Sequence, residues 1–156
     1  MSAEEIKICV FKMKPDKVPG PDGYTASFFQ NMWHVVGHDV IAAVQSFFAD
    51  GRILKQFNST SLTLVPKILN PSKLSDYRPI SCCNFIYKCI SGVIAQRMKK
   101  VLPDIINPAQ SAFVPGRNIA DNILLAQELL RNYHRTATKP RCNVKVDILK
   151  AYDTMN

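Results

Sequence analysis

In the run Val144-Lys145-Val146-Asp147-Ile148-Leu149-Lys150-Ala151-Tyr152-Asp153, the carboxylate of Asp147 stands near the end of an alternating apolar segment. A carboxylate so placed can hold Mg2+ against a polyphosphate, because Mg2+ favours one or two carboxylates completed by phosphate oxygens and water. Tyr152 follows where the strand should turn into a helix, so its ring can pack beside a sugar bound near that metal. Lys67 follows a short alternating segment and Arg78 precedes a proline, both on loop edges suited to gripping a triphosphate. Arginine grips with a fixed fork of donors and lysine with a mobile point charge. Gly116-Arg117-Asn118 puts an arginine at a helix start, where free backbone amides favour an anion. Taken singly, each has a plainer reading: a strand-end or capping aspartate, a buried helical tyrosine, solvated cations, and a turn with its cap.

The surrounding charge adds weight to Asp147. Between Arg131 and Lys150 lie Arg131, Arg135, Lys139, Arg141, Lys145 and Lys150, and Asp147 is the sole acid among them. A carboxylate inside a basic segment suits a site that must hold phosphates and a metal together. The whole chain carries a formal charge of +8, so an anionic partner is expected, nucleic acid first. Charge alone is equally compatible with a basic protein that has no such partner.

The elements that must position these residues follow from periodicity and punctuation. Ser2 with Glu5 fits a capping box, and Ile6, Val10 and Met13 recur at helical spacing until Pro15. Lys14 to Gly23 holds three prolines and two glycines and reads as a stiff linker. It is no P-loop, since it lacks the Gly-Lys-Ser/Thr ending and a preceding strand. A helical stripe through Phe28, Phe29, Met32, Trp33 and Val36 should break at Gly37. A second stripe, from Val40 to Phe48, runs on to Gly51. Ser61 to Val65 alternates as a strand ended by Pro66, and Lys67 to Arg78 reads as a polar loop. A long helix is expected from about Asn84 to Leu102, stopped by Pro103. Asn118 can cap another, with Ile119, Ile123, Ala126, Leu130 and Tyr133 inward. Cys142, Val144, Val146 and Ile148 then alternate as a last strand, with Asp147 on its polar face.

Length and composition bound the class. A chain of 156 residues, 47% hydrophobic and 21% charged, suits one domain or a large piece of a bigger one. Five cysteines without C-x-x-C spacing, and three histidines that complete no zinc pattern, suggest free thiols and a reducing compartment, cytoplasm or nucleus. The N-terminus lacks the apolar core of a signal peptide, and no apolar run reaches membrane-span length, so no membrane partner is expected. There is no internal repeat. Mostly helical segments with a few strands imply an α+β piece whose last strand opens an incomplete sheet.

Five blocks in order give the pieces a common meaning: K-V-P-G-P-D-G at 17–23, L-T-L-V-P-K at 62–67, D-Y-R-P-I-S-C-C-N at 76–84, Q-S-A-F-V-P-G-R-N-I-A-D-N-I-L-L-A at 110–126 and K-V-D-I-L-K-A-Y-D at 145–153. This series resembles the fingers and early palm of reverse transcriptases from LINE-type, non-LTR retrotransposons, most closely those of plant genomes. The resemblance implies a fingers-like region with an N-terminal extension over 1–141, and over 142–156 the first palm strand with the start of the following helix. It implies that Asp147 is the first metal-binding aspartate, with the Ile148 carbonyl as a further ligand. Tyr152 then packs under the incoming sugar, Lys67 and Arg78 hold the triphosphate, and Asp153 is structural. The blocks around Pro19–Gly23 and Gln110–Arg117, with Gly116 and Arg117, contact or frame the template.

The resemblance further implies attack of a DNA primer hydroxyl on a deoxynucleoside triphosphate, directed by an RNA template and assisted by Mg2+. The family's aromatic-Ala-Asp-Asp hairpin does not occur in the 156 residues, so the stretch alone is expected to be inactive. An unpaired sheet edge with apolar surface is also expected. Two other readings stay open: a non-catalytic nucleic-acid-binding module derived from the fingers and, less well supported by the ordered blocks, a helical interaction protein.

Overall fold

The computed structural model describes residues 1–131 together with Tyr133, Cys142 and residues 144–146. The chain divides into two compact units, Met1–Ile105 and Ile106–Asn156. The architecture is α+β, as expected: five α-helices and one two-stranded sheet among the described residues. No helix among them is long and apolar enough to cross a membrane.

The first unit is a helical cluster carrying a hairpin. Helix α1, Ala3–Lys12, begins as its capping box foretells, with Ser2 Oγ accepting from the Glu5 amide at 3.2 Å. Its C-terminal carbonyls are met by Gln30, whose Nε2 donates to the Val10 and Met13 oxygens at 2.9 and 3.0 Å. Helix α2, Ala26–Asn31, supplies that glutamine and is followed at once by α3, Trp33–Asp50.

The break between α2 and α3 falls at Met32, not at Gly37, and α3 runs straight through the glycine. A Cβ on Gly37 would meet the Trp33 ring at 2.8 Å, so the glycine makes room for the indole one turn earlier. Gly51 ends α3 in the left-handed conformation, φ 67°, donating to the Phe47 carbonyl at 2.8 Å.

Strand β1, Thr60–Pro66, pairs antiparallel with β2, Tyr77–Cys83, from Thr60 opposite Cys83 to Pro66 opposite Tyr77. The sequence reading placed β1 within a residue but took 67–78 as loop and did not foresee β2. Pro79 obscured it. Proline cannot donate to a ladder and is tolerated where a strand has a free edge. In a two-stranded sheet both strands are edges, so Pro79 sits opposite Leu64 without breaking the pairing. Leu62, Leu64, Val65 and Ile80 are exposed on this hairpin; the apolar edge expected of the last sheet belongs to the 142–148 segment and is not seen here.

Helix α4, Phe85–Ile105, is the spine of the unit. It continues two residues past Pro103, where the helix was expected to stop. A proline in the last turn forfeits one intrahelical bond, a smaller loss than in mid-helix. Phe85, Ile86, Cys89 and Ile90 on α4 pack with Ile6 and Val10 of α1, Ala26 of α2, and Val40 and Val44 of α3. Phe85 stacks on Phe29 with ring centroids 3.6 Å apart and planes 5° from parallel. Gly92 lets α1 and α4 approach closely, since a Cβ there would lie 2.8 Å from Cys9 Sγ. Burial raises the pKa of both the Cys9 and Cys89 thiols, as suits small core side chains. All five cysteines are unpaired.

In the second unit, Asn118 caps α5, Ile119–Leu130, its Oδ1 accepting from the Ala120 amide at 3.0 Å. The cap is as expected; the burial is not. Ile119, Ile123, Leu130 and Tyr133 are all exposed, and α5 has no buried residue. Helical periodicity identifies an apolar face but carries no information about what covers it. Of the strand expected over 142–148, Cys142 and residues 144–146 are described and are not in a strand, and the other three residues lie outside the described ones.

The linker at 14–23 is fastened at its end to the start of α4. Gly20-Pro21-Asp22-Gly23 forms a turn closed by the Gly23 amide on the Gly20 carbonyl at 3.0 Å. A Cβ on Gly20 would lie 2.5 Å from the Asn84 amide nitrogen and 2.6 Å from the Cys83 carbonyl carbon, both backbone atoms. Gly20→Ala should therefore destabilise the protein by about 2 kcal/mol, seen as a lower urea midpoint with little change in slope. An unchanged midpoint would show that the turn is not held against α4.

Candidate nucleotide and nucleic-acid site

Lys67 and Arg78, eleven residues apart, lie near the tip of the hairpin on one face. Arg78 is the register partner of Val65, and Lys67 lies two residues beyond Val65. Side chains alternate along a strand, so Val65, Lys67 and Arg78 share one face. The Lys67 amide donates to the Asp76 carbonyl at 2.7 Å, which extends the pairing by one step past Pro66 and Tyr77. Both cations are exposed, and neither forms an ion pair among the described residues. Lys67 Nζ donates to the Ser75 carbonyl at 2.8 Å. An ammonium has three donors, so two remain for an anion.

Asp76 organises the loop behind this pair. Its Oδ2 accepts from the Ser72 and Lys73 amides at 3.0 and 3.1 Å and from the Ser72 hydroxyl at 3.5 Å. The Ser72 amide bond, foremost, and then those from Lys73 and the serine hydroxyls hold its carboxyl below the ordinary aspartate range. The aspartate of the D-Y-R-P block thus shapes the loop from which Lys67 and Arg78 project.

Gly116 and Arg117 belong to the second unit. Val114-Pro115-Gly116-Arg117 makes a turn with Pro second and Gly third, Gly116 at φ 78°, closed by the Arg117 amide on the Val114 carbonyl at 3.3 Å. The Arg117 guanidinium donates to the carbonyls of Ile106, Asn107 and Gln110 at 3.0, 2.7 and 2.7 Å. It gathers the 106–118 loop around itself and leaves Phe113 98% exposed at φ 64°, an unusual conformation for a non-glycine residue. Asp147, Ile148 and Tyr152 lie outside the described residues. Among those described, no three His, Cys, Asp or Glu side chains come together to hold a metal.

Sequence reasoning missed the pairing of Asp22 with Asn84. Asn84 is buried between β2 and α4; its Oδ1 accepts from the Asp22 amide at 3.1 Å, and its Nδ2 donates to the Gln56 carbonyl and Ser59 Oγ at 2.8 and 3.1 Å. Asp22 answers by accepting from the Phe85 amide, the first of α4, at 3.4 Å. The available signal was an asparagine immediately before a helical stripe.

Residues 66–156 match the family described as reverse transcriptase (RNA-dependent DNA polymerase), and the chain belongs to it. Its relatives place it with LINE-type, non-LTR elements, as the ordered blocks implied. The chain is 32% identical over its whole length to the transposon TX1 uncharacterized 149 kDa protein of Xenopus laevis, covering 12% of that protein. It is 23% identical over 99% of its length to the Pol polyprotein of the type-1 retrotransposable element R1 of Bradysia coprophila, covering 15%. Over 88% of its length it is 23% identical to that of the type-2 element R2DM of Drosophila melanogaster, again covering 12%. The chain therefore spans roughly an eighth of these relatives' length.

The lowered Asp76 pKa fixes a sign. A carboxylate depressed in the folded state stabilises its loop above the unfolded pKa and ceases to do so as pH falls through the folded one. Protection of the Ser72 and Lys73 amides should hold from neutrality down to about pH 4 and fade only below it. In Asp76→Ala it should be lost at every pH. Protection in that variant equal to the wild type would rule out the carboxylate as the organiser.

Proposed function

We propose that these 156 residues are the fingers, over 1–141, and the beginning of the palm, over 142–156, of an RNA-directed DNA polymerase, with the hairpin tip as its triphosphate grip. The observation that carries this reading is that strand register puts Lys67 and Arg78 on one face, without carboxylate partners among the described residues. A triphosphate laid across the tip meets a planar fork and a mobile ammonium together. Asp147 would offer Mg2+ a carboxylate and Ile148 a backbone carbonyl, and the bound ion would supply positive charge for the primer hydroxyl and departing pyrophosphate. Tyr152 would pack against the sugar of the incoming deoxynucleotide. Gly116 would turn the 106–118 loop and Arg117 would hold its shape, presenting it to the template strand with the DNA primer beside it.

Two-metal nucleotidyl transfer calls for more carboxylates than Asp147 provides. The 156-residue stretch on its own should bind nucleotide weakly and transfer none. Primer extension on an RNA template with Mg2+ should give no product, and any templated incorporation would overturn this. The grip is tested separately: fluorophore-labelled dATP should bind the chain, and Lys67→Ala or Arg78→Ala should each weaken binding by about ten- to a hundredfold, as expected for a charged hydrogen bond of about 1.5–3 kcal/mol. Equal affinity in both variants would remove the hairpin tip as the grip.

The net charge of +8 favours a second reading, a non-catalytic nucleic-acid-binding module derived from the fingers. It requires RNA or DNA binding that falls steeply with salt. Salt-independent binding would exclude it.

A further inference from the structure

Two of the three histidines in the chain, His34 and His38, stand four residues apart on α3, and both are exposed. Residues at that spacing are neighbours on a helix surface, with Cβ atoms about 5–6 Å apart. Their imidazoles can turn toward a common point, as a helical His pair does when it chelates zinc. Val35, not a glutamate, follows His34, so the base that accompanies such a pair in hydrolytic sites is missing. Ala42, next along the same face, is too short to cover the rings. The Asp39 carboxylate lies 3.8 Å from His38 Nδ1, with the two side chains 95% and 90% exposed for His38 and Asp39. A carboxylate on that edge favours the proton at Nδ1 and leaves Nε2 as the ligand atom.

Two imidazoles fall short of a closed structural zinc site, which takes four protein ligands. Among the described residues no third His, Cys, Asp or Glu joins them. The pair is therefore an open chelate whose remaining positions fall to water. Electrostatics select the kind of ion. The first turns of a helix and a formal charge of +8 both oppose a cation held by charge alone. Imidazole coordination to a first-row transition metal relies on ligand type, and Asp39 offsets part of the helix field. Cu2+ should bind most tightly, Ni2+ and Zn2+ less so, and Mg2+ not at all. The location gives such binding a consequence. Helix α3 starts at Trp33 with no side-chain cap and no acidic residue in its first turn. A metal joining His34 to His38 would tie that first turn to the second. The same stretch carries the Trp33 ring, packed over Gly37 and edge-on to Phe11 at 5.7 Å.

We infer that His34 and His38 form a two-imidazole chelate for a divalent transition-metal ion, which braces the start of α3. The site is independent of the polymerase reading: Lys67, Arg78 and Asp147 take no part in it, so the two can fail separately.

Trp33 is the sole tryptophan of the chain and adjoins His34, so its fluorescence reports a quenching ion bound there. Ni2+ is the probe of choice, because Cu2+ would oxidise the free cysteines. Titration with NiCl2 should quench Trp33 saturably, and Zn2+, which does not quench, should restore the signal by displacement. His34→Gln and His38→Gln should each raise the half-quenching concentration roughly tenfold or more, since either loss leaves a single ligand without its tethered partner. The double variant should be no weaker than either single one. His38→Gln/Asp39→His, which shifts the second ring around the helix, should not restore binding. Circular dichroism reports whether each variant is folded, and all replaced side chains are exposed. Calorimetry should find a matching Ni2+ site in the wild type that the double variant lacks. Wild-type quenching in the folded double variant overturns the chelate. So do additive losses in the single variants, which would mean two separate imidazoles, and displacement by millimolar Mg2+, which would put the ion on carboxylates. A wild type that shows neither saturable quenching nor binding heat also overturns it.

Discussion

The first unit turns on one buried amide. Asn84 is 3% exposed, yet its donors and acceptor all find partners: the Asp22 amide, the Gln56 carbonyl and Ser59 Oγ. These partners come from the turn after α1 and from the connection between α3 and β1, and Asn84 itself joins β2 to α4. A buried polar side chain costs free energy unless satisfied, about 1–3 kcal/mol for each group left unpaired. Any displacement of the turn, the connection or the hairpin would strand at least one of these groups. The aliphatic core gives the unit its cohesion, but non-directional packing tolerates sliding; the amide admits one arrangement.

That arrangement explains why two glycine-containing blocks far apart in sequence act as a unit. Gly20 brings the backbone of 20–23 close enough for the Asp22 amide to reach Asn84, and the Asp22 carboxylate then meets the first amide of α4. Lys88, one turn into the helix, adds a bond from Nζ to the Val18 carbonyl at 2.7 Å. The segment is stiff from its prolines and immobilised by these contacts. The linker reading of 14–23 was silent about this attachment.

Local signals carried most of the helices. Ser2, Asn118 and Gly51 mark boundaries through short-range hydrogen bonding and φ preference, and the structure keeps all three. Failures came where the deciding interaction was remote. Gly37 reads as a breaker until Trp33 is seen to need its space, and β2 is hidden because Pro79 forbids a central strand but not an edge. The buried set assigned to α5 followed from periodicity, which ranks faces without supplying a neighbour. For the candidate site, residue type named Lys67 and Arg78, but only strand register could put them on one face.

The hairpin gains its position from its two ends. Two-stranded ribbons are marginal by themselves, and β1 is exposed along its length. One end is fixed where β2 runs through Asn84 into α4. The other is closed by Asp76, which gathers the Ser72 and Lys73 amides while its own carbonyl holds the Lys67 amide. Lys67 and Arg78 are therefore placed by backbone hydrogen bonds at both ends of a ribbon, with little hydrophobic packing between. Such a mounting leaves both cations in solvent, open to the triphosphate of the proposed reading. Under that reading, it would also let the tip adjust to a triphosphate without disturbing the core beneath α4. A grip built directly on the core would gain rigidity and lose that compliance, because close-packed interiors do not accommodate small displacements.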